Sequence, residues 1–238
     1  MNHVISNVAN VIGLITRNRP EAINALSLDM VLRLSKILNE WAADSKIEAV
    51  AIRGTDKNGN FGNFCAGGDI RFFHKACIDE SSDLGLFFTE EYKLNHLIFN
   101  YSKPYIAFMD GIVMGGGMGI SQGASCRIVT ERSKVAMPET NIGLFPDVGG
   151  GYFLPKCPGF IGEYLGLTGQ VLTGQQSLAA NLADYAVNST KLENLWDLIE
   201  SDSGLPSERI KEFYLEVKGS SLNEDNAWIT SEIDDAFQ

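Results

Sequence analysis

The chain carries two glycine turns and two proline-led carboxylates whose residue types suit acyl chemistry. The first turn is Cys65-Ala66-Gly67-Gly68-Asp69 and the second Met114-Gly115-Gly116-Gly117-Met118-Gly119; the carboxylates stand in Met137-Pro138-Glu139 and Phe145-Pro146-Asp147, eight residues apart. A glycine run entering a helix offers bare backbone N–H groups to an anion. When a thioester or its enolate reacts, negative charge develops on the carbonyl oxygen, and two converging N–H groups can hold it. Glycine or alanine is required where backbone must approach so closely, which makes Ala66 and Gly116 the candidate pair. Glu139 and Asp147 are embedded in apolar sequence, Val135-Ala136-Met137 before and Ile142-Gly143-Leu144-Phe145 between. That context predicts partial burial, raised carboxyl pKa values and acid–base duty.

Other reactive groups offer less. Cys65 reads as a small buried hydrophobe rather than a nucleophile, and His3, His74 and His96 stand in no motif that would support a Ser-His-Asp hydrolase. The third cluster, Gly149-Gly150-Gly151, reads as a flexible helix entry.

The elements that must position these groups follow from patterning. Val11 to Thr16 has the β-branched richness of a strand, and from Ser27, a plausible N-cap, Met30, Leu34, Ile37, Leu38 and Trp41 recur at helical spacing. Residues 49–54 read as a strand buried on both faces that delivers the chain into the first glycine turn. A helix over 86–99, carrying Leu86, Tyr92, Leu94 and Leu97, ends at Lys103-Pro104; a strand over 105–109 then enters the glycine run, whose continuation is helical. Short strands at 127–130 and 134–137 precede a helix over 149–167, a short helix over 177–182 and a helix-favouring stretch over 191–218. In that last stretch Leu195, Leu198 and Ile199 are expected to pack on a partner or on missing sequence. Short strands alternating with helices mark an α/β protein whose glycine loops converge on one cleft.

At 238 residues, 45% hydrophobic and 21% charged, the chain can bury one substantial core and is not disordered in bulk. A net charge of −11 argues against nucleic acid as a partner. Arg17, Arg19, Lys57 and Arg71 are the cations of the N-terminal half that an anionic ligand such as a CoA thioester could use. Cys65, Cys77, Cys126 and Cys157 show no CxxC spacing, so they read as reduced thiols, with no disulfide framework and no zinc. No apolar run approaches the roughly 18 to 20 residues of a membrane span, which predicts a soluble intracellular protein with no membrane partner. No targeting extension precedes the first strand-like segment; the expected location is the cytoplasm, or the mitochondrial matrix if a transit peptide has been removed. The ending at Ala236-Phe237-Gln238 lacks a stop signal and predicts an incomplete chain.

Read together, Asn18-Arg19-Pro20-Glu21-Ala22-Ile23-Asn24-Ala25-Leu26, Phe64-Cys65-Ala66-Gly67-Gly68-Asp69, Asp110-Gly111 with the glycine run, and Met137-Pro138-Glu139 resemble the crotonase (enoyl-CoA hydratase/isomerase) superfamily over about residues 5–190. The resemblance implies a spiral of repeated ββα units over 1–190, with a helical and truncated C-terminal segment over 191–238. It also implies an acyl-CoA substrate, an oxyanion hole from the N–H groups of Ala66 and Gly116, and substrate contacts at Gly67 and Asp69. Hydratases of the family close the glycine run with a glutamate where this chain has Gly119. What replaces it is Asp147, at a place where hydratases typically have glycine. The run from Asn141 to Pro155, with Phe88-Thr89-Glu90-Glu91-Tyr92 upstream, looks like the 3-hydroxyisobutyryl-CoA hydrolase branch, which has a site glutamate at the position of Glu91.

The expected reaction is hydrolysis of a short branched hydroxyacyl-CoA, of the kind met in valine catabolism, with Glu139 as nucleophile or general base. Asp147 and Glu91 would bind the substrate hydroxyl or position water. No metal or redox cofactor is implied, coenzyme A being part of the substrate, and a homo-oligomer is compatible with the reading. Two alternatives remain open: a hydratase or isomerase using Glu139 alone, and a non-catalytic subunit of the same fold.

Overall fold

The structure, a computed structural model, describes residues 2–200 and 206–220. Strand β1 (Val4–Ala9) turns at Asn10, φ 55°, into the antiparallel β2 (Ile12–Arg17). Strand β1 is additional to the expectation, because its Ile5 and Val8 face solvent and do not announce a buried strand. Helix α1 (Leu28–Ala43) begins as its cap predicts, with the Met30 N–H donating to Ser27 Oγ over 3.3 Å, and buries Met30, Leu34, Ile37 and Leu38. Strand β3 (Ala49–Gly54) leads through the first glycine turn to α2 (Ile70–Ile78) and α3 (Asp83–Phe99). Helix α2 is also additional to the expectation; only its Ala76 is fully buried, while Phe72 and Phe73 pack partly buried against the core.

Then come β4 (Tyr105–Met109), β5 (Ile112–Met114), the single turn α4 (Gly116–Gly119), β6 (Cys126–Thr130) and β7 (Lys134–Ala136). The expected helix over 149–167 is two helices, α5 (Gly150–Phe153) and α6 (Ile161–Thr168). Pro155 and Pro158 remove backbone donors between them, and Gly159 at φ 55° turns the chain. After β8 (Leu172–Thr173), helix α7 (Gly174–Ala179) starts earlier than expected because Thr173 and Gln176 form a reciprocal capping box. Strand β9 (Tyr185–Val187), α8 (Leu192–Glu200) and α9 (Pro206–Ser220) follow; residues 221–238 of the expected C-terminal segment lie outside the described residues.

Six strands form one sheet in the order β1-β2-β3-β4-β6-β9, parallel beyond the first pair, and β5-β7-β8 form a second. Successive turns of the chain lay one strand in each sheet, β4 then β5, β6 then β7, which is the ββα spiral. Period-two alternation gives the large sheet two apolar faces. Val50, Ile52, Ala107 and Met109 face α1 and α3 on the site side. Ala49, Ala51, Ile106, Phe108 and Ile128 face α8 and α9 on the other. Leu195 and Ile199 are therefore buried against the chain's own sheet, with Trp196, Phe213 and Val217, and not against a partner; Leu198 is partly buried in the same cluster.

Candidate active site

The two glycine turns are joined by a short backbone ladder. Phe64 N–H donates to Asp110 O and Cys65 N–H to Ile112 O, both over 2.8 Å, and Met114 N–H returns to Cys65 O over 2.9 Å. The turns consequently meet: a Cβ on Gly67, whose φ is 99°, would stand 3.2 Å from Met114 O and 3.6 Å from Gly116 N. Gly67 thus serves the approach of the two backbones.

The oxyanion pair needs one correction. Ala66 N–H already donates to Ile23 O over 3.1 Å, so it is not available to a ligand. Gly68 N–H and Gly116 N–H have no acceptor among the described residues, and a Cβ on Gly116 would lie 3.4 Å from the Gly68 nitrogen. The free, neighbouring donors are Gly68 and Gly116. Asp69 is likewise reassigned: its Oδ1 accepts the N–H groups of Arg71 and Phe72, capping α2, and its Oδ2 pairs with Arg19 Nη2 at 2.6 Å. These bonds hold Asp69 below the usual carboxylate range and leave it a structural duty beside the turn.

Three carboxylates surround the glycine run. Glu139 opens a 3-10 turn (Glu139–Ile142) after Pro138, only 7% exposed, with one carboxyl oxygen 2.7 Å from where a Gly115 side chain would begin and the other unpartnered. Burial, with the charge of Asp147 adding, raises it to about 7. Glu91 is 2% exposed and belongs to the buried stripe Phe87, Glu91, Leu94, Ile98 of α3; its Oε1 rests on Gly116 without a hydrogen-bond partner. Burial first, then Asp147 and Glu139, lift it to about 8. Asp147 is half-buried and accepts the Tyr92 hydroxyl at Oδ2 over 2.7 Å, a bond that with burial pushes the tyrosine pKa up.

A cleft of about 670 Å³ opens beside this cluster. Asp147, Tyr92 and Asn95 form one wall, and Phe99, Phe145 and Tyr152 supply its apolar lining. Gly149, Gly150 and Gly151, expected only as a flexible helix entry, line it too. Glu91 and Glu139 are not among the residues that line it. Gly119 also faces the cleft, but it has no room for a side chain: its Cβ would fall 2.7 Å from Val148 Cβ and 2.9 and 3.0 Å from the Asn95 amide atoms.

Of the cations considered, Arg17 is fully buried with its guanidinium 3.6 Å over the Phe64 ring, and Arg19 is spent on Asp69. Lys57 and Arg71 are exposed. Cys65 is buried and its thiol pKa raised, as befits an inert hydrophobe. Among the described residues no helix is long and apolar enough to cross a membrane.

A two-sheet ββα spiral with opposed glycine turns is the crotonase fold. The enoyl-CoA hydratase/isomerase family model matches residues 12–238, and the chain belongs to that family. The crystal structure of a carnitinyl-CoA dehydratase from Mycobacterium thermoresistibile superposes with a TM-score of 0.87 and 34% identity, over 100% of this chain and 67% of that one. An enoyl-CoA hydratase from Rhodobacter sphaeroides 2.4.1 gives 0.78 and 35%, over 92% and 66%. The mitochondrial 3-hydroxyisobutyryl-CoA hydrolase of Danio rerio is 46% identical over 192 residues, 80% of this chain and 49% of that protein. The Homo sapiens protein of the same name is 44% identical over 183 residues, 77% and 46% respectively. The chain spans about half the length of the curated relatives it matches.

Proposed function

We propose that the chain hydrolyses a short 3-hydroxyacyl-CoA thioester, 3-hydroxyisobutyryl-CoA foremost, to the hydroxy acid and free CoA. The observation that carries the reading is Gly119: the space in which a hydratase-type glutamate would stand is filled by Val148 and Asn95, leaving Glu139, against Gly115, and Glu91, against Gly116, as the carboxyl groups on the glycine run. The names of the relatives at 44–46% identity support the same reaction, and their mitochondrial designation supports a mitochondrial location.

In this reading the thioester oxygen accepts from Gly68 and Gly116. Glu139 in its carboxylate form adds to the carbonyl carbon, the carbonyl electron pair moves onto the held oxygen, and collapse expels the CoA thiolate; water then cleaves the anhydride. The other route has Glu139 take a proton from water, which adds directly. In both, Asp147 and Glu91 position the substrate hydroxyl or the attacking water. Hydrolysis exchanges no electrons, so the proposal includes no redox cofactor, and the N–H pair supplies the electrophilic help a metal would otherwise give.

The test is to incubate the chain with 3-hydroxyisobutyryl-CoA and, separately, with crotonyl-CoA. Thiol release from the first supports hydrolysis. Loss of the enoyl double bond without thiol release replaces it with hydration by Glu139 alone, and inertness toward both replaces it with a non-catalytic subunit.

A further inference from the structure

Asn95, one helical turn beyond Glu91 on α3, makes no use of its side-chain amide. Both Oδ1 and Nδ2 are shielded from solvent and lack a hydrogen-bond partner. An asparagine kept for the fold looks different in this chain: Asn24 accepts the Arg19 N–H at Oδ1 and donates Nδ2 to the carbonyls of Thr55 and Asn63. Leaving a buried donor and acceptor both unspent is costly, and it recurs at functional positions. Here the unpartnered oxygens of Glu91 and Glu139 surround the same glycine run. Asn95 also lines the cleft with Asp147 and Tyr92, and its amide lies over Gly119.

We propose that Asn95 is a specificity-determining residue that binds the hydroxyl of a 3-hydroxyacyl thioester, Nδ2 donating to the hydroxyl oxygen while Asp147 accepts the hydroxyl proton. The proposal rests on the hydroxyacyl-thioester reading of the site. A hydroxyl needs one donor and one acceptor. Asp147 has Oδ2 committed to the Tyr92 hydroxyl and Oδ1 left to accept, Tyr92 spends its own proton on that bond, and Asn95, which lines the same cleft, has a donor unspent. A plain acyl group of the same shape would leave the amide unmet, which is how a site rejects an analogue lacking a hydroxyl.

Binding rather than turnover tests this. In the full chain carrying Glu139→Gln, calorimetric titration with 3-hydroxyisobutyryl-CoA and with isobutyryl-CoA should show the hydroxylated ligand bound about 10-fold or more tightly. Adding Asn95→Ala should bring the two ligands within about threefold of each other while the isobutyryl-CoA affinity holds; Asn95→Ser, which retains a donor, should restore part of the preference and serves as the second variant if alanine impairs folding. Equal binding of both ligands with Asn95 intact, a preference that survives Asn95→Ala, or a parallel loss of both affinities overturns the assignment. Failure of both thioesters to bind overturns it together with the reading beneath it. Thiol release by the unsubstituted chain is recorded separately, so that absence of hydrolysis with an intact binding preference retires the reaction and not Asn95.

Discussion

Glu91 Oε1 lies against Gly116 so closely that a side chain on the glycine and this carboxyl could not share the space. The same glycine supplies a free N–H to the site. Gly116→Ala should therefore injure two groups at once, displacing Glu91 and tilting the N–H. Thiol release should fall by about 10²–10³-fold, the usual consequence of losing one oxyanion donor. Near-normal kcat in that variant would remove Gly116 from the oxyanion hole.

Glu139→Gln should lower thiol release by roughly 10²–10⁴-fold while the fold persists. Its Tm at about pH 8 should equal or exceed that of the unsubstituted chain, because glutamine has no charge for the buried site to oppose. Hydroxylamine added during turnover separates the two routes: a hydroxamate on Glu139, read by mass spectrometry, marks the anhydride.

Stability and turnover should move in opposite directions with pH. Burial raises Glu91 and Glu139 from an ordinary 4.5 to about 8 and about 7. Between the unfolded and folded values the native protein binds more protons than the unfolded chain, so the stabilisation is full below about pH 4.5 and declines as pH rises. For Glu91 the decline between about pH 5 and pH 8 is roughly 3 kcal/mol. Urea unfolding across that range should show it, and Glu91→Gln should flatten it; an unaltered slope would mean that Glu91 ionises as freely in the fold as in water. Turnover should instead rise through about pH 7 as Glu139 becomes the carboxylate.

Gly119→Glu should not create a hydratase. The new side chain meets Val148 and Asn95 and should cost about 1–3 kcal/mol by overpacking. Paired with Val148→Gly it should recover stability, since Val148 holds a positive φ of 40° that glycine adopts freely. Denaturant midpoints of the two variants check this, and a single variant as stable as the parent would show the space to be larger than the geometry indicates.

Much of the site is legible in residue types, and the exceptions share a cause. Glu139 and Asp147 stand out because proline and apolar neighbours bracket them, and the glycine turns because few other residues allow such approach. Glu91 is legible only if α3 is allowed a charged member in its apolar stripe; counting apolar residues alone turns the stripe toward Leu86 and Tyr92, which are in fact exposed. The exchange of Ala66 for Gly68 depends on where the Ile23 carbonyl points. That is set by the left-handed pair Ile23 and Asn24, φ 52° and 53°, for which the local sequence carries only the asparagine as a hint. The seat of α8 was hidden for a similar reason, because its amphipathic face says that something covers it without saying what.

The ladder from Phe64 through Met114 has a consequence for how this frame can change. The two free N–H groups are spaced by peptide units bonded to each other, not by any side chain, so substitution around them alters the reagents without altering the holder. Carboxylates can be moved, dropped or replaced by an amide while the seat for the carbonyl oxygen persists. A backbone scaffold of that kind lets relatives named dehydratase and hydratase share one architecture.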